Sequence, residues 1–251
     1  MDISLVVPAY NESGNIEPFL CAVKDALEPT GLSYEIVIVN DGSRDNTLTK
    51  LMQLIEQFPP LRVIDLSRNF GKEAALTAGI DVAIGRAVIP MDADLQHPPK
   101  LVPLLIDHWK QGFDVVICKR TSRDTDHWLQ RWISRLFYRV HNVMAERDIP
   151  PDVGDFRLMD RRVVDALRLL PERRRFMKGI FAWVGFRTTV VEFDADARYS
   201  GTSHFNGWRL WNFALEGITS FSTVPLRIWT YVGGMVSLLS MGYAIKIVVS
   251  T

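Results

Sequence analysis

The first 120 residues alternate between short apolar runs and longer stretches with helical periodicity. The stretches between the runs place apolar residues three or four positions apart, which predicts helices over 16–27, 47–58, 72–84 and 101–111. The runs themselves predict five strands: Ile3–Val7, Glu35–Val39, Leu61–Asp65, Ala87–Met91 and Asp114–Cys118. Strands that alternate with helices of this length form a parallel sheet. The sequence therefore predicts an α/β fold built on a mostly parallel central sheet.

Polar loops follow several of these strands. Asn11 comes after the first strand, Asp41 after the second, and Asp92 and Asp94 after the fourth, while the segment 69–72 opens the third helix. Ligands of parallel sheets bind at the carboxyl ends of the strands. We therefore expect these loops to converge on a single binding edge.

The tetrad that begins at Asp92 is the strongest chemical signal in the chain. Two carboxylates at i and i+2 point the same way on an extended backbone, and such pairs share Mg²⁺ with substrate phosphates. Gln96 would join Asp92 and Asp94 only while the backbone stays extended. A solvated turn that happens to carry two acids is the alternative.

Net charge, cysteine spacing and the N-terminal residues limit the partners and the cellular compartment that can be expected. Lysine and arginine balance aspartate and glutamate at a net charge of zero, which gives no reason to expect nucleic acid as a partner. Cys21 and Cys118 are far apart and lack metal-ligand spacing, so neither a disulfide framework nor a zinc site is predicted. The N-terminus lacks the basic and apolar regions of a secretory signal.

The C-terminal region has the character of a membrane segment. The run 228–245 carries no charged residue, is about as long as a membrane-spanning helix must be, and lies between Arg227 and Lys246. A buried core helix is the alternative. We predict a catalytic domain over 1–205, a juxtamembrane amphipathic helix over 206–226 and a transmembrane segment over 227–251.

A second amphipathic helix is predicted over 128–144. Arg131, Arg135 and Arg139 form one basic stripe beside an aromatic and aliphatic face, which suits a helix lying on a membrane surface. A helix packed on the sheet with solvated arginines is an equal alternative.

Several motifs, which follow one another along the chain as they do in the family, resemble those of the family 2 glycosyltransferases with the GT-A fold. The resemblance covers essentially the whole chain and is closest to the polyprenyl-phosphate glycosyltransferases, in particular the bactoprenol glucosyltransferase branch. The motifs that carry it are Val6–Glu12, Val39–Thr47, Asp92–Pro99, Gly154–Asp160, Arg173–Gly179 and Arg198–Phe205.

This resemblance implies a membrane-bound, inverting transfer of a sugar from a nucleoside diphosphate to a polyprenyl phosphate such as undecaprenyl phosphate. UDP-glucose is the favoured donor; GDP-mannose and UDP-N-acetylhexosamines are alternatives. The cofactor would be Mg²⁺ or Mn²⁺, held by Asp92, Asp94 and Gln96. Asp155 would act as base or acceptor-side catalytic residue, although it could instead orient sugar hydroxyls or hold an arginine.

The resemblance also assigns binding residues to the substrates. Lys72 could reach a phosphate, or it could simply be a solvated residue at the start of a helix. Arg198 is expected to contribute to catalysis as well as to binding. The expected nucleotide-binding residues are Pro8, Tyr10, Glu12, Asp41 and Asp92; those for the diphosphate are Arg198, Ser203 and His204; those for the acceptor phosphate are Arg120, Arg131 and Ser134.

Two departures from the family pattern affect these expectations. Such transferases usually end in two membrane helices and this chain holds only the first, so we expect it to be part of a longer protein. His204 stands where lysine is more frequent, and a neutral imidazole contributes less to diphosphate binding. The resemblance further implies that the protein lies in the inner membrane with its catalytic domain on the cytoplasmic side. It also implies a homo-oligomer, a tetramer, formed through the membrane region.

Other function classes fit less well. A dinucleotide-dependent dehydrogenase is disfavoured because the first strand is not followed by Gly-x-Gly-x-x-Gly. A processive polysaccharide synthase would usually carry Gln-x-x-Arg-Trp, whereas Gln130-Arg131-Trp132 lacks the spacer. A non-catalytic, membrane-tethered nucleotide-binding module would not need Asp155 or the loop at 198–204.

Overall fold

The computed structural model describes residues 1–120, 153–170, 180–181, 185–193 and 224–250. The chain divides into two compact units. The first comprises Met1–His127 and Pro150–His204, and the second Trp128–Ile149 and Phe205–Thr251. The domain boundaries expected from the sequence remain predictions.

Up to residue 120 the strands and helices follow the predicted alternation; the elements beyond it, apart from the C-terminal helix, were not predicted. The strands are β1 (Ile3–Ala9), β2 (Tyr34–Asn40), β3 (Leu61–Asp65), β4 (Ala87–Pro90), β5 (Val115–Arg120), β6 (Val153–Asp160) and β7 (Thr188–Phe193). The α-helices are α1 (Ile16–Leu27), α2 (Thr47–Leu54), α3 (Lys72–Val82), α4 (Val102–Lys110), α5 (Arg161–Arg168) and α6 (Val224–Ser250).

The seven strands form one sheet in the order β3-β2-β1-β4-β6-β5-β7. β1 pairs in parallel with β2 and β4, β2 with β3, and β5 with β7. β6 runs antiparallel to both of its neighbours, β4 and β5. The start of β6 therefore lies at the same edge of the sheet as the ends of the parallel strands.

Helices cover both faces of this sheet. One face packs against α1, whose predicted apolar stripe, Ile16, Phe19, Leu20, Val23 and Leu27, is completely buried. The other face packs against α3, where Gly79 lies so close to β1 and β2 that an added Cβ would come within 2.3 Å of the Val6 side chain. This close approach fixes α3, and with it the loop that precedes the helix, against the centre of the sheet.

Several elements end or begin away from their predicted positions. α2 ends at Leu54 instead of residue 58, shortly before Pro59 and Pro60. α3 ends at Val82 because Ala83 is extended, and the guanidinium of Arg168 binds the carbonyl oxygens of Ile80, Asp81 and Ala83 at the end of the helix. Such bonds satisfy carbonyl groups that a helix end leaves without intrahelical partners.

A buried acid lies at the amino edge of the sheet, opposite the polar loops. Glu35, 1% exposed, accepts hydrogen bonds from the Ser4 hydroxyl at 2.5 Å, from the Ile84 amide at 2.8 Å and from Arg62 at 2.7 Å. Burial raises the pKa of Glu35, but these hydrogen bonds and the Arg62 charge outweigh it, so the pKa lies below its ordinary value. This network joins β1, β2, β3 and the loop before β4.

The described helix of the second unit, α6, contains one stretch long and apolar enough to cross a membrane. Trp229–Ser250 spans 22 residues with a mean hydropathy of 1.7, and its side chains are not buried within the structure. The predicted apolar run 228–245 lies almost entirely inside this stretch.

Candidate active site

The carboxyl edge of the sheet brings together acids from two strands that are far apart in sequence. Asp92 and Asp94 follow β4, and Asp155 lies near the start of β6. Ala87 pairs with Asp160 and Val88 with Met159 in antiparallel register, so β6 begins beside the point where β4 ends. The reversed strand thus carries Asp155 to the edge that the sequence predicts as the binding edge.

Lys72 connects these acids. Its Nζ lies 2.6 Å from Asp92 Oδ1 and 3.0 Å from Asp155 Oδ2, and it also donates a hydrogen bond of 2.9 Å to Asp92 Oδ2. Neither role left open by the sequence, a phosphate ligand or a solvated helix start, includes this double ion pair. The structure shows a lysine that joins two carboxylates of the site, while its contact with a phosphate stays a prediction.

The charge of Lys72 is strongly favoured at this position. Burial lowers the pKa of its ammonium, but the charges of Asp92 and then Asp155 outweigh that effect, so the pKa of Lys72 lies above its ordinary value. The N-terminus of a helix disfavours cations through the helix dipole, and Lys72 is the first residue of α3. The two carboxylates overcome this cost.

The backbone after Asp92 turns sharply and is not extended. Leu95 has a φ of 61°, in the left-handed region that non-glycine residues rarely adopt. Asp94, 8% exposed, accepts a hydrogen bond from the Gln96 amide at 3.1 Å. The extended geometry that would align Gln96 with the two acids is therefore absent, while a metal-binding role for its side chain stays a prediction.

His97 closes this turn. Its Nδ1 accepts a hydrogen bond from the Asp92 amide at 3.4 Å, and its ring stacks on Phe156 with ring centroids 5.0 Å apart. Burial lowers the pKa of His97 and the charge of Lys72 adds to this, although Asp92, Asp94 and Asp155 oppose it. The neutral imidazole thus fixes the loop that carries both acids.

Asp41 fastens the loop that precedes α3. Its Oδ1 accepts from the Phe70 amide at 2.7 Å and its Oδ2 from the Gly71 amide at 2.9 Å, and the residue is 3% exposed. In this structure both carboxylate oxygens thus position the backbone directly before Lys72. The predicted contact between Asp41 and the nucleotide stays a prediction.

The loop after β1 is held against the loop after β2. Asn11, with a φ of 56°, accepts a hydrogen bond from the Arg44 amide at 2.8 Å and donates its own amide to Ser43 at 3.0 Å. The Glu12 carboxylate accepts from Asn15 Nδ2 at 2.6 Å. Of the other predicted nucleotide ligands, Pro8 lies within β1 and Tyr10 follows the strand with 40% of its surface exposed.

A buried arginine lies behind Asp155. Arg157 is 4% exposed, and its guanidinium stacks on the Phe181 ring at 4.2 Å. Burial lowers the pKa of Arg157 to about 10, and the charge of Asp155 opposes that shift. Sequence reasoning missed this residue; its place in the motif Gly154–Asp160, two positions after Asp155, was the available signal.

Several predicted ligands fall outside the described part of the chain. They are Arg131, Ser134, Arg198, Ser203 and His204. Arg120 ends β5 at the same edge as Asp92, and only its backbone is described. The assignments of these residues to the diphosphate and the acceptor phosphate stay predictions.

The donor set at this edge suits a hard divalent cation that also takes ligands from a substrate. No group of three or more His, Cys, Asp or Glu side chains arranged to hold a metal occurs among the described residues. Mg²⁺, however, is usually held by one or two carboxylates together with substrate phosphates. The oxygens of Asp92 and Asp94 match that pattern, so the residues fit a cation that arrives with a diphosphate.

Comparison with known proteins identifies the family. Residues 4–168 match the model of the family described as glycosyl transferase family 2. The chain belongs to this family. The transferase is therefore an enzyme that moves a sugar, and the expectation drawn from its motifs is confirmed.

Close relatives extend over the whole length of the transferase. A bactoprenol glucosyl transferase of Shigella phage SfV is 49% identical over 251 residues, which are 100% of this chain and 82% of that protein. An uncharacterized glycosyltransferase of Synechocystis is 50% identical over 251 residues, which are 100% of this chain and 79% of that protein.

Solved structures confirm the predicted fold. A mannosyltransferase from Pyrobaculum calidifontis in complex with GDP-Man and Mn²⁺ has a TM-score of 0.59 at 20% identity, over 84% of the transferase and 60% of that chain. Glucosyl-3-phosphoglycerate synthase from Mycobacterium tuberculosis in complex with Mn²⁺, UDP and glucosyl-3-phosphoglycerate has a TM-score of 0.59 at 19% identity, over 86% of the transferase and 77% of that chain. The α/β GT-A fold is thus shared with known transferases.

Proposed function

We propose that this transferase moves glucose from UDP-glucose to a polyprenyl phosphate and releases UDP. The bactoprenol glucosyl transferases at about 49% identity support both the sugar and the lipid class. The observation that carries the proposal is the meeting of Asp92, Asp94 and Asp155 at one edge of the sheet, with Asp92 and Asp155 bound to Lys72. A mannosyl transfer from GDP-mannose is the second candidate.

The reaction forms one bond and breaks one bond at the anomeric carbon. An oxygen of the lipid phosphate attacks that carbon from the face opposite the diphosphate, and the bond to the diphosphate oxygen breaks with its electron pair, which inverts the configuration. Asp94, with Asp92 beside it, would hold Mg²⁺ or Mn²⁺. When bound, such a cation neutralises the charge that develops on the departing diphosphate.

Asp155 serves the acceptor side of this reaction. The second pKa of a phosphate monoester is about 6, so the acceptor is largely dianionic at neutral pH and does not need a strong base. The Lys72 ammonium, 3.0 Å away, favours the ionised form of Asp155. We propose that the ionised carboxylate orients the sugar or the acceptor, and that the rate changes little between about pH 6.5 and pH 8.

We further propose that the transferase acts at the cytoplasmic face of the inner membrane. Trp229–Ser250 supports attachment to the bilayer because it is long and apolar enough to cross it. A lipid phosphate lies at the membrane surface, so attachment would bring the enzyme to its acceptor. A homo-oligomer, a tetramer through the membrane region, belongs to the same proposal.

The test is a transfer assay with radiolabelled nucleotide sugars. Detergent-solubilised enzyme receives undecaprenyl phosphate, Mg²⁺ or Mn²⁺, and labelled UDP-glucose, GDP-mannose or UDP-N-acetylglucosamine. Label is expected in the organic phase from UDP-glucose, and only when the lipid phosphate and the cation are both present. Asp94→Asn is expected to lower turnover by at least about 100-fold, whereas Asp25→Asn on the exposed surface of α1 is the matched control.

Two results would contradict the proposal. Label from GDP-mannose alone would establish the mannosyl alternative. UDP-glucose binding without any lipid-dependent release of UDP would indicate a non-catalytic nucleotide-binding module.

A further inference from the structure

Lys72 is placed where a cation that binds Asp92 must compete with it. The ammonium contacts both oxygens of Asp92, at 2.6 and 2.9 Å, and one oxygen of Asp155 at 3.0 Å. A metal ion that took an Asp92 oxygen as ligand would have to break at least one of these contacts. The ammonium and the metal are therefore alternative partners of one carboxylate.

Contacts with other parts of the domain hold the backbone around Lys72 in place. Its backbone follows the Phe70–Gly71 segment, whose two amides are both bound by the buried Asp41 carboxylate. α3, which Lys72 begins, is held against β1 and β2 through Gly79. The side chain therefore extends toward Asp92 and Asp155 from a fixed base.

Charge balance favours this arrangement while the substrate is absent. Lys72 offsets the charges of Asp92 and Asp155, which it contacts directly. A divalent cation that bound Asp92 beside the ammonium would bring two like charges close together. When the cation enters with a negatively charged diphosphate, that diphosphate offsets the repulsion.

We infer that Lys72 is a positioning residue that acts as the resident counter-ion of the donor-free site and makes metal binding depend on the nucleotide. Before the donor arrives, Lys72 holds Asp92 and Asp155 together and competes with the metal. When the diphosphate and the metal enter together, the ammonium releases Asp92 and keeps Asp155. This inference rests on the proposed function, because it takes Asp92 as part of the metal site.

The inference predicts the affinity for metal in the absence of any donor. Free Mn²⁺ is measured by electron paramagnetic resonance during titration of the detergent-solubilised full chain, with and without UDP. Wild type is expected to bind Mn²⁺ weakly alone and much more tightly with UDP. Lys72→Met is expected to bind Mn²⁺ alone about tenfold more tightly than wild type, within the range of typical coupling between two ligands, and to gain less from UDP.

Two variants separate charge competition from other effects. Lys72→Arg keeps a cation at this position and is expected to restore weak binding of Mn²⁺ alone. Lys24→Met removes an exposed lysine whose ion pair with Glu28, at 3.5 Å, lies at the C-terminal end of α1, and it is expected to match wild type. Circular dichroism verifies folding, and Lys72→Gln replaces the methionine variant if that variant does not fold.

The possible outcomes distinguish this inference from the proposed function. Wild type and the uncharged variant could bind Mn²⁺ alone with equal affinity and still take up Mn²⁺ in the presence of UDP. That result would overturn the role of Lys72 and leave the metal site intact. Loss of UDP binding in Lys72→Met without any change for Mn²⁺ alone would make Lys72 a phosphate ligand, and would likewise overturn it. A wild type that takes up no Mn²⁺ even with UDP would overturn the proposed metal-dependent function, and this inference with it.

Discussion

At the scale of single residues, the glycine after Asp41 has little freedom to change. Gly42 has a φ of +60°, and a Cβ built on it would lie 2.4 Å from the backbone carbon of Arg68. Only a residue without a side chain lets the loops after β2 and β3 pass this closely. Gly42 therefore supports the same segment that Asp41 fastens before Lys72.

We predict that Gly42→Ala destabilises the protein and impairs UDP binding. The left-handed conformation costs a non-glycine residue about 1–2 kcal/mol, and the contact with Arg68 forces the two loops apart. Gly31→Ala is the matched control, because Gly31 has a φ of +66° but nothing within 4 Å of the added Cβ. Urea unfolding and UDP titration of both variants measure the effect; equal losses would show that the close approach to Arg68 is unimportant.

The positions of individual site residues could be predicted only in part. Asp92 and Asp94 were recognisable because they directly follow a buried apolar strand, and their place at the carboxyl edge is as expected. The ion pairs of Lys72 were not recognisable, because they depend on where Asp155 lies, far along the chain. The turn at Leu95 was also unforeseen, since leucine gives no local signal for a left-handed backbone.

At the scale of elements, α3 is fixed by its contact with two neighbouring strands. A Cβ on Gly79 would lie 2.3 Å from Val6 Cγ1 and 3.1 Å from Val39 Cγ2. Both valines are completely buried, so neither side chain has free space to move into. The packing of α3 thus depends on the absence of one methyl group.

We predict that Gly79→Ala lowers the free energy of unfolding, although alanine is the better helix former. Overpacking costs about 1–3 kcal/mol, while replacing glycine by alanine within a helix returns about 1 kcal/mol. Gly14→Ala is the control, since an added Cβ there meets nothing within 4 Å. Urea unfolding followed by circular dichroism measures both, and a stabilised Gly79→Ala would contradict this account of the helix–sheet contact.

The Glu35 network predicts a pH dependence of stability. The pKa of Glu35 is lowered in the folded state: burial raises it, and the bonds from Ile84, Ser4 and Arg62 outweigh the burial. A lowered folded pKa stabilises the protein above the unfolded value of about 4.3, and this contribution is lost as the pH falls through the folded pKa.

The test compares wild type with Glu35→Gln. Wild type is expected to be more stable by about 1–3 kcal/mol at pH 6, and the difference is expected to shrink below about pH 4.3. Urea unfolding at several pH values measures it. Asp25→Asn, on the exposed surface of α1, is the control, and a difference that stays constant down to pH 3 would rule out the carboxylate as its source.

The alternation of strands and helices up to residue 120 was predictable because each element carries its own periodicity. α5 and β7 were missed, although Val163, Val164 and Leu167 have the spacing of a short amphipathic helix. The antiparallel direction of β6 could not be read from the sequence, since a buried strand has the same pattern in either direction. Only its neighbours in the sheet reveal it.

At the scale of the whole molecule, α6 distinguishes this chain from a purely soluble transferase fold. Leu238 and Leu239, near the middle of Trp229–Ser250, are 66% and 67% exposed within the structure. A helix with this apolar surface is long enough to cross a lipid bilayer.

We predict that lysines at the middle of α6 release the protein from membranes. Replacing Leu238 and Leu239 by lysine places two charges near the centre of the bilayer, at a cost of about 2.5–3.5 kcal/mol each. Lysines at Val248 and Val249, near the end of the stretch, can extend to the interface and are the matched control. Sedimentation of membranes with the expressed protein measures the difference; equal release of the two variants would argue against a spanning helix.

The reversed direction of β6 has a consequence for how the family can diversify. β5 ends and β6 begins at the edge that carries Asp92, so the chain leaves the sheet and re-enters it at that edge. Lengthening a connection between two strands costs little free energy. Insertion or exchange at this one junction could therefore change what adjoins the acids while the sheet that carries them stays unchanged.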